Sequence, residues 1–187
     1  MSQADIFRRI VGHLDQRRIA YMLVGSFAGT YYGASRTTFD LDFVIEATPQ
    51  QLRALIADLQ ADDYYAELDA ALDALKHESL FNIIDNATGW KIDLIFRKSR
   101  AFDHEEFRRR QPAKLFDIQM FVASAEDLII SKLEWAKLGG SHRQIEDVAN
   151  ILSRQWQSLD QDYLRKWIAA LGLQEQWEAA KRFADIE

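Results

Sequence analysis

VGSFAGTYYGASRTTFDLDFVIE, residues 24–46, sets two carboxylates, Asp40 and Asp42, one residue apart in an otherwise apolar run. Side chains alternate along a strand, so both acids share one face while Leu41, Phe43 and Ile45 take the other. Neighbouring carboxylates repel, and burial raises the cost of keeping both ionised. Such a strand either keeps its acid face in water or needs a cation to complete it. Upstream, Gly25-Ser26 ends a short apolar strand expected over 20–25 and opens a brief helix or turn through Tyr32. Glycine allows close backbone approach there, and a serine hydroxyl with the first helical N–H groups holds an anion. Taken alone, the pair reads equally as an ordinary strand-to-helix turn. Neither a P-loop nor G-x-G-x-x-G is present.

A third acid sharpens the reading. Residues 79–96, SLFNIIDNATGWKIDLIF, predict a hairpin around Asp85-Asn86-Ala87-Thr88-Gly89. In its second strand Asp93 interrupts another apolar run, opposite Ile92, Leu94 and Phe96. Three acids on two core strands fit a pair of hard divalent ions such as Mg²⁺, which take carboxylate oxygens and keep positions for water and phosphate.

The remaining chain bounds these possibilities. Its 187 residues suffice for a sizeable core, and 48% hydrophobic with 28% charged residues is ordinary for a folded domain. Cysteine is absent, which removes disulfides, thiolate metal sites and cysteine nucleophiles and fits a cytoplasmic location. No apolar run reaches a membrane span, and the first residues lack a signal-peptide layout. A net charge of −6 argues against a protein built chiefly to coat nucleic acid. Periodicity predicts helices over 3–17, 49–60 and 65–76, strands over 39–46 and 114–124, and helices over 125–138, 142–154, 160–171 and 174–184. Thr48-Pro49-Gln50-Gln51 has the pattern of a capped helix start, and Ser141 with Gln144 predicts a second capping box. Gly139-Gly140 closes the helix before it. The expected plan is an α/β (α+β) mixed-sheet core over 1–123, with a C-terminal helical segment, 124–187, packed on it.

Val24-Gly25-Ser26 followed by Arg36-Thr37-Thr38-Phe39-Asp40-Leu41-Asp42-Phe43 resembles the signature of the nucleotidyltransferase (polymerase β-like) superfamily. The likeness is greatest to its minimal, AbiEii-like prokaryotic branch. Glu126-Asp127-Leu128-Ile129-Ile130-Ser131-Lys132-Leu133 and Arg143-Gln144-Ile145-Glu146-Asp147-Val148 match that family's helical half. The resemblance implies a nucleotidyltransferase-like mixed sheet flanked by helices, and Mg²⁺-dependent transfer of an NMP from an NTP to an acceptor hydroxyl. It implies that Gly25 and Ser26 cradle the triphosphate, that Asp40 and Asp42 ligate two Mg²⁺ ions, and that Asp93 completes the catalytic one. Arg36, Thr38, Lys132 and Asp147 are implied nucleotide-binding positions. The acceptor would be tRNA or other RNA, a protein or a small molecule. A toxin-like role in a two-gene defence module, with a cognate antitoxin partner, is the further implication.

Rival readings remain at this stage. One is a catalytically inactive nucleotide-binding regulator of the same fold; another is a different D-x-D enzyme, such as an aspartyl phosphatase or a metal-dependent glycosyltransferase. Residues 97–114 carry an excess of four positive charges, readable as an RNA-steering patch or as a solvated helix with interspersed acids. His13, His77, His104 and His142 lack paired ligand spacing for zinc. Trp135, Trp156, Trp167 and Trp177 are expected to pack the helical layer.

Overall fold

A computed structural model of the chain describes residues 2–34 and 38–186. Contacts divide it into two units, Met1–Val24 with Thr38–Val122, and Gly25–Thr37 with Ala123–Glu187.

The first unit holds a seven-stranded mixed sheet. Its strands are β1 (Ala20–Leu23), β2 (Asp40–Glu46), β3 (Tyr64–Tyr65), β4 (Leu80–Asp85), β5 (Lys91–Phe96), β6 (Gln111–Leu115) and β7 (Ile118–Val122), in the spatial order β3-β4-β5-β2-β1-β7-β6. The β2–β5 and β1–β7 pairings are parallel; the other four are antiparallel. Helix α1 (Gln3–Gln16) starts at a capping box in which Ser2 and Asp5 bond reciprocally, and it buries Ile6, Phe7, Ile10, Val11 and Leu14. The predicted Thr48–Gln51 box is formed at the start of α3 (Pro49–Ala61). Leu41, Phe43 and Ile45 of β2 and Ile92, Leu94 and Phe96 of β5 are buried, as the alternation required.

Two expectations about this unit are corrected. Residues 65–76 are not wholly helical, because Tyr64–Tyr65 pairs with β4 as a short edge strand before α4 (Leu68–Lys76) begins. The single strand expected over 114–124 is a hairpin of β6 and β7. Its two-residue turn, Phe116-Asp117, has φ values of 48° and 62°, the conformation that matches strand twist but usually calls for Asn-Gly. Pro112 is tolerated because β6 is the sheet's outer strand. Between β5 and β6 lies α5 (Ala101–Arg108).

The second unit is helical: α2 (Gly25–Tyr31), α6 (Ala125–Gly139), α7 (His142–Gln155), α8 (Gln161–Leu171) and α9 (Gln174–Phe183). Leu128, Ile129 and Leu133 of α6, Val148, Ile151 and Leu152 of α7, and Leu164 and Ile168 of α8 are buried. Gly140 ends α6 with φ 60°, as expected of a glycine C-cap. The Ser141–Gln144 box is not formed: Ser141 caps α7 without a side-chain bond, and the Gln144 carboxamide oxygen accepts instead from Lys132. Trp167 and Trp177 are buried and Trp156 stacks on Trp177, but Trp135 is exposed, against expectation. Among the described residues no helix is long and apolar enough to cross a membrane.

Candidate active site

The parallel pairing of β2 with β5 decides where the acids stand. Asp42 is the register partner of Asp93, and Asp40 of Lys91; on the other side of β5, Asn82 of β4 is the partner of Asp93. Partner residues on adjoining strands have Cβ atoms about 5 Å apart, and residues two apart along a strand are separated by about 7 Å. The structure therefore brings Asp40, Asp42, Asp93, Lys91 and Asn82 onto one face of three neighbouring strands. The opposite face of the same strands is core, so it is tertiary burial of Leu41, Phe43, Ile92 and Leu94 that turns the acids outward.

Exposure falls across the acid block: Asp40 is exposed, Asp42 half-buried and Asp93 buried. Asp93 has a fixed partner for each oxygen. Asn82 Nδ2 donates to Oδ1 at 2.5 Å, and Lys91 Nζ donates to Oδ2 at 3.0 Å. That hydrogen bond, with charge from Asp93, Asp40 and Asp42, raises the Lys91 pKa above its usual value. The Thr38 hydroxyl accepts the Asp40 N–H at 3.2 Å, fixing the entry to β2. Arg36 lies outside the described residues. The side chains do not close round a point: among the described residues no three His, Asp or Glu groups are gathered for a metal. The chemistry of the donor set nonetheless fits a hard divalent ion, since its three carboxylates offer only oxygens.

At the end of β1 the Val24 N–H donates to the Asp42 carbonyl at 2.9 Å, and Gly25 follows directly. Gly25 adopts φ 65°, a left-handed conformation that disfavours any residue with a Cβ, and so begins α2. Ser26 is buried within that helix.

In the helical unit Lys132 and Asp147 meet at 2.7 Å, linking α6 to α7, with Gln144 3.2 Å from the same ammonium. Both charged side chains are enclosed, at 4% and 8% exposure, so Lys132 is no solvated lysine. A Cβ placed on Gly29 would stand 3.6 Å from Lys132 Cε, which shows how closely α2 lies against α6. The acids at the start of α6 serve the fold. Asp127 accepts from Ser124 Oγ at 2.6 Å and Tyr163 Oη at 2.5 Å, and Glu126 accepts the Asp160 N–H at 3.0 Å. The Tyr32 hydroxyl donates to the Ala123 carbonyl at 2.8 Å, and its pKa is pushed up chiefly by burial.

The basic stretch 97–114 is largely paired within itself or with neighbours in the same unit. Arg97 bonds Glu46, Arg100 bonds Asp103, Arg108 bonds Glu105 and Lys114 pairs with Asp117, while Arg110 lies over Phe107 and Phe121. Lys91 and Asn82 are site residues that motif reading passed over. The alternation of WKID and of SLFN, which sets both on the Asp93 face, was the signal available.

No family model matches the chain, and no curated protein does. Solved structures do. The solution structure of the antibiotic-resistance factor ANT(2'')-Ia superimposes with a TM-score of 0.59 at 14% identity, over 96% of this chain and 95% of that one. An antigenic nucleotidyltransferase-like protein from Paracoccidioides brasiliensis gives 0.56 at 16% identity, over 95% and 91%. The lincosamide antibiotic adenylyltransferase LnuA, lincomycin-bound, gives 0.55 at 12% identity, over 81% and 96%. The fold of this chain is thus the nucleotidyltransferase fold, a mixed sheet flanked by helices.

Proposed function

We propose that the protein is a Mg²⁺-dependent nucleotidyltransferase that moves an NMP from an NTP to an acceptor hydroxyl. The observation that carries this reading is the register Asp42↔Asp93, with Asp40 two residues along on the same sheet face. Hard-ion ligands placed side by side on rigid strands, at positions that also match the D-x-D and late-acid pattern, are costly unless used. Mg²⁺ held by Asp40, Asp42 and Asp93, two ions in the full site, would stabilise charge on the attacking and leaving oxygens. Gly25 and Ser26 would hold the phosphates through backbone N–H groups and the hydroxyl, and Arg36 and Thr38 are nucleotide-binding candidates by their match to the motif. The acceptor oxygen attacks the α-phosphorus, its bond to the β-phosphate bridge breaks, and pyrophosphate leaves. The acceptor proton passes to a carboxylate oxygen of Asp93. Lys132 would have to release Asp147 to reach a phosphate, so this pair is assigned a positioning role for α6 and α7.

A small-molecule hydroxyl comes ahead of RNA as acceptor. LnuA is lincomycin-bound and ANT(2'')-Ia has been seen in complex with adenylyl-2''-tobramycin, while the basic stretch here is paired internally. Calorimetry with each of the four NTPs, with and without Mg²⁺, tests the core of the reading. Binding should need Mg²⁺ and vanish in Asp40→Ala and Asp42→Ala without unfolding; equal binding by wild type and variants rejects it. Incubation with α-labelled NTPs and panels of hydroxylated antibiotics, total RNA and protein then identifies the acceptor. Binding without label transfer to any of them would favour the inactive regulator, and label on a protein or RNA the toxin-like role of the AbiEii-like branch.

A further inference from the structure

A lysine stands inside the acid block. Lys91 is the register partner of Asp40 and precedes Asp93 by two residues, so its side chain shares the face of all three acids. Its ammonium lies 3.0 Å from Asp93 Oδ2, while Asn82 holds Oδ1 at 2.5 Å. The ammonium therefore stands among carboxylates on that face. The oxygen that Lys91 covers is one that a hard cation would take, because Oδ1 already accepts from the carboxamide. An ammonium on a four-carbon stem can leave that oxygen without any movement of the strand. The Lys91 side chain is 42% exposed against 12% for Asp93, so the lysine has solvent to swing into while the acid stays where it is.

We propose that Lys91 is a resident counter-cation that holds Asp93 while no metal is bound and must release that oxygen to a divalent ion. The inference rests on the metal-binding reading above and adds a consequence to it. Metal alone binds weakly, because it must displace a charge already in place.

The test uses Mn²⁺ alone, without nucleotide, measured by calorimetry and by the loss of the free-ion electron paramagnetic resonance signal. Lys91→Met should bind Mn²⁺ about tenfold more tightly than wild type. Lys91→Arg, which keeps the charge, should stay near wild type. Lys76→Met, an exposed lysine of α4 in the same unit, changes net charge equally and should have no effect. Thermal melting, followed for every variant, should show a larger Mn²⁺-induced rise in Tm for Lys91→Met than for wild type. Wild-type binding with unchanged or weaker affinity in Lys91→Met, or equal tightening in Lys76→Met, would overturn the counter-cation while leaving the metal site standing. Absence of Mn²⁺ binding in wild type and all variants would overturn both.

Discussion

Each unit of the molecule contains a lysine–aspartate pair whose acid is buried, and these two pairs differ in what surrounds the lysine. In the helical unit Lys132 and Asp147 are closed off from water and joined by Gln144. In the sheet unit Lys91 is half-exposed while Asp93 is buried, on a strand face shared with two more carboxylates. An enclosed pair cannot be broken without stranding a charge. In the second pair only the lysine is open to water, 42% exposed against 12% for Asp93, so the lysine can change partners at small cost. Burial of the lysine, and not the identity of the residues, distinguishes the two pairs.

The comparison is easiest to break with one substitution made twice. Lys132→Met should lower folding stability by about 3–5 kcal/mol, because Asp147 is left buried without its cation. Lys91→Met should cost less, about 1–2 kcal/mol, because Asp93, though buried, keeps its hydrogen bond from Asn82 and loses only a lysine already shared with solvent. Urea titration of both variants decides it, and equal losses would refute the distinction. Adding Asp147→Leu to Lys132→Met should restore most of the loss, since an apolar pair of similar volume needs no counter-charge.

A smaller effect is expected where the chain passes from the first unit to the second. Gly25→Ala should cost about 1–2 kcal/mol, the strain of a Cβ in the left-handed conformation that φ 65° imposes. A measured change near zero would mean that α2 can start from another backbone geometry.

The smallest effect concerns a pair of intermediate exposure, Arg17–Asp58 in the sheet unit. The hydrogen bonds from Arg17, with its charge, hold the Asp58 carboxyl below its usual 3.8. A depressed carboxyl contributes stability that is present above the unfolded-state value and lost as pH falls through the folded one. Melting temperature followed from about pH 5 to about pH 2 should therefore fall more steeply in wild type than in Arg17→Met. Parallel curves would show that the pair is silent.

Much of the fold was legible because local rules and tertiary outcome agreed. The alternation in FDLDF and KIDLIF placed Leu41, Phe43, Ile92 and Leu94 in the core and the acids opposite, since a strand buried on one face has no other register. The Thr48–Gln51 cap and the Gly140 stop were equally local. The Phe116-Asp117 turn was hidden because its backbone is imposed by the pairing of β6 with β7, not requested by its residues. Ser141 and Gln144 had the right spacing for a cap, but the buried ammonium of Lys132 was the stronger claimant for the carboxamide oxygen.

The sequence by itself determined which residues could bear chemistry and which face of each strand they would occupy, because alternation is a property of the chain alone. Only the tertiary structure decided that β2 and β5 lie side by side and parallel, with Asp42 beside Asp93 and Lys91 beside Asp40. Strand order and register arise from burying the opposite face across residues some fifty positions apart in sequence, a collective requirement that no local pattern encodes.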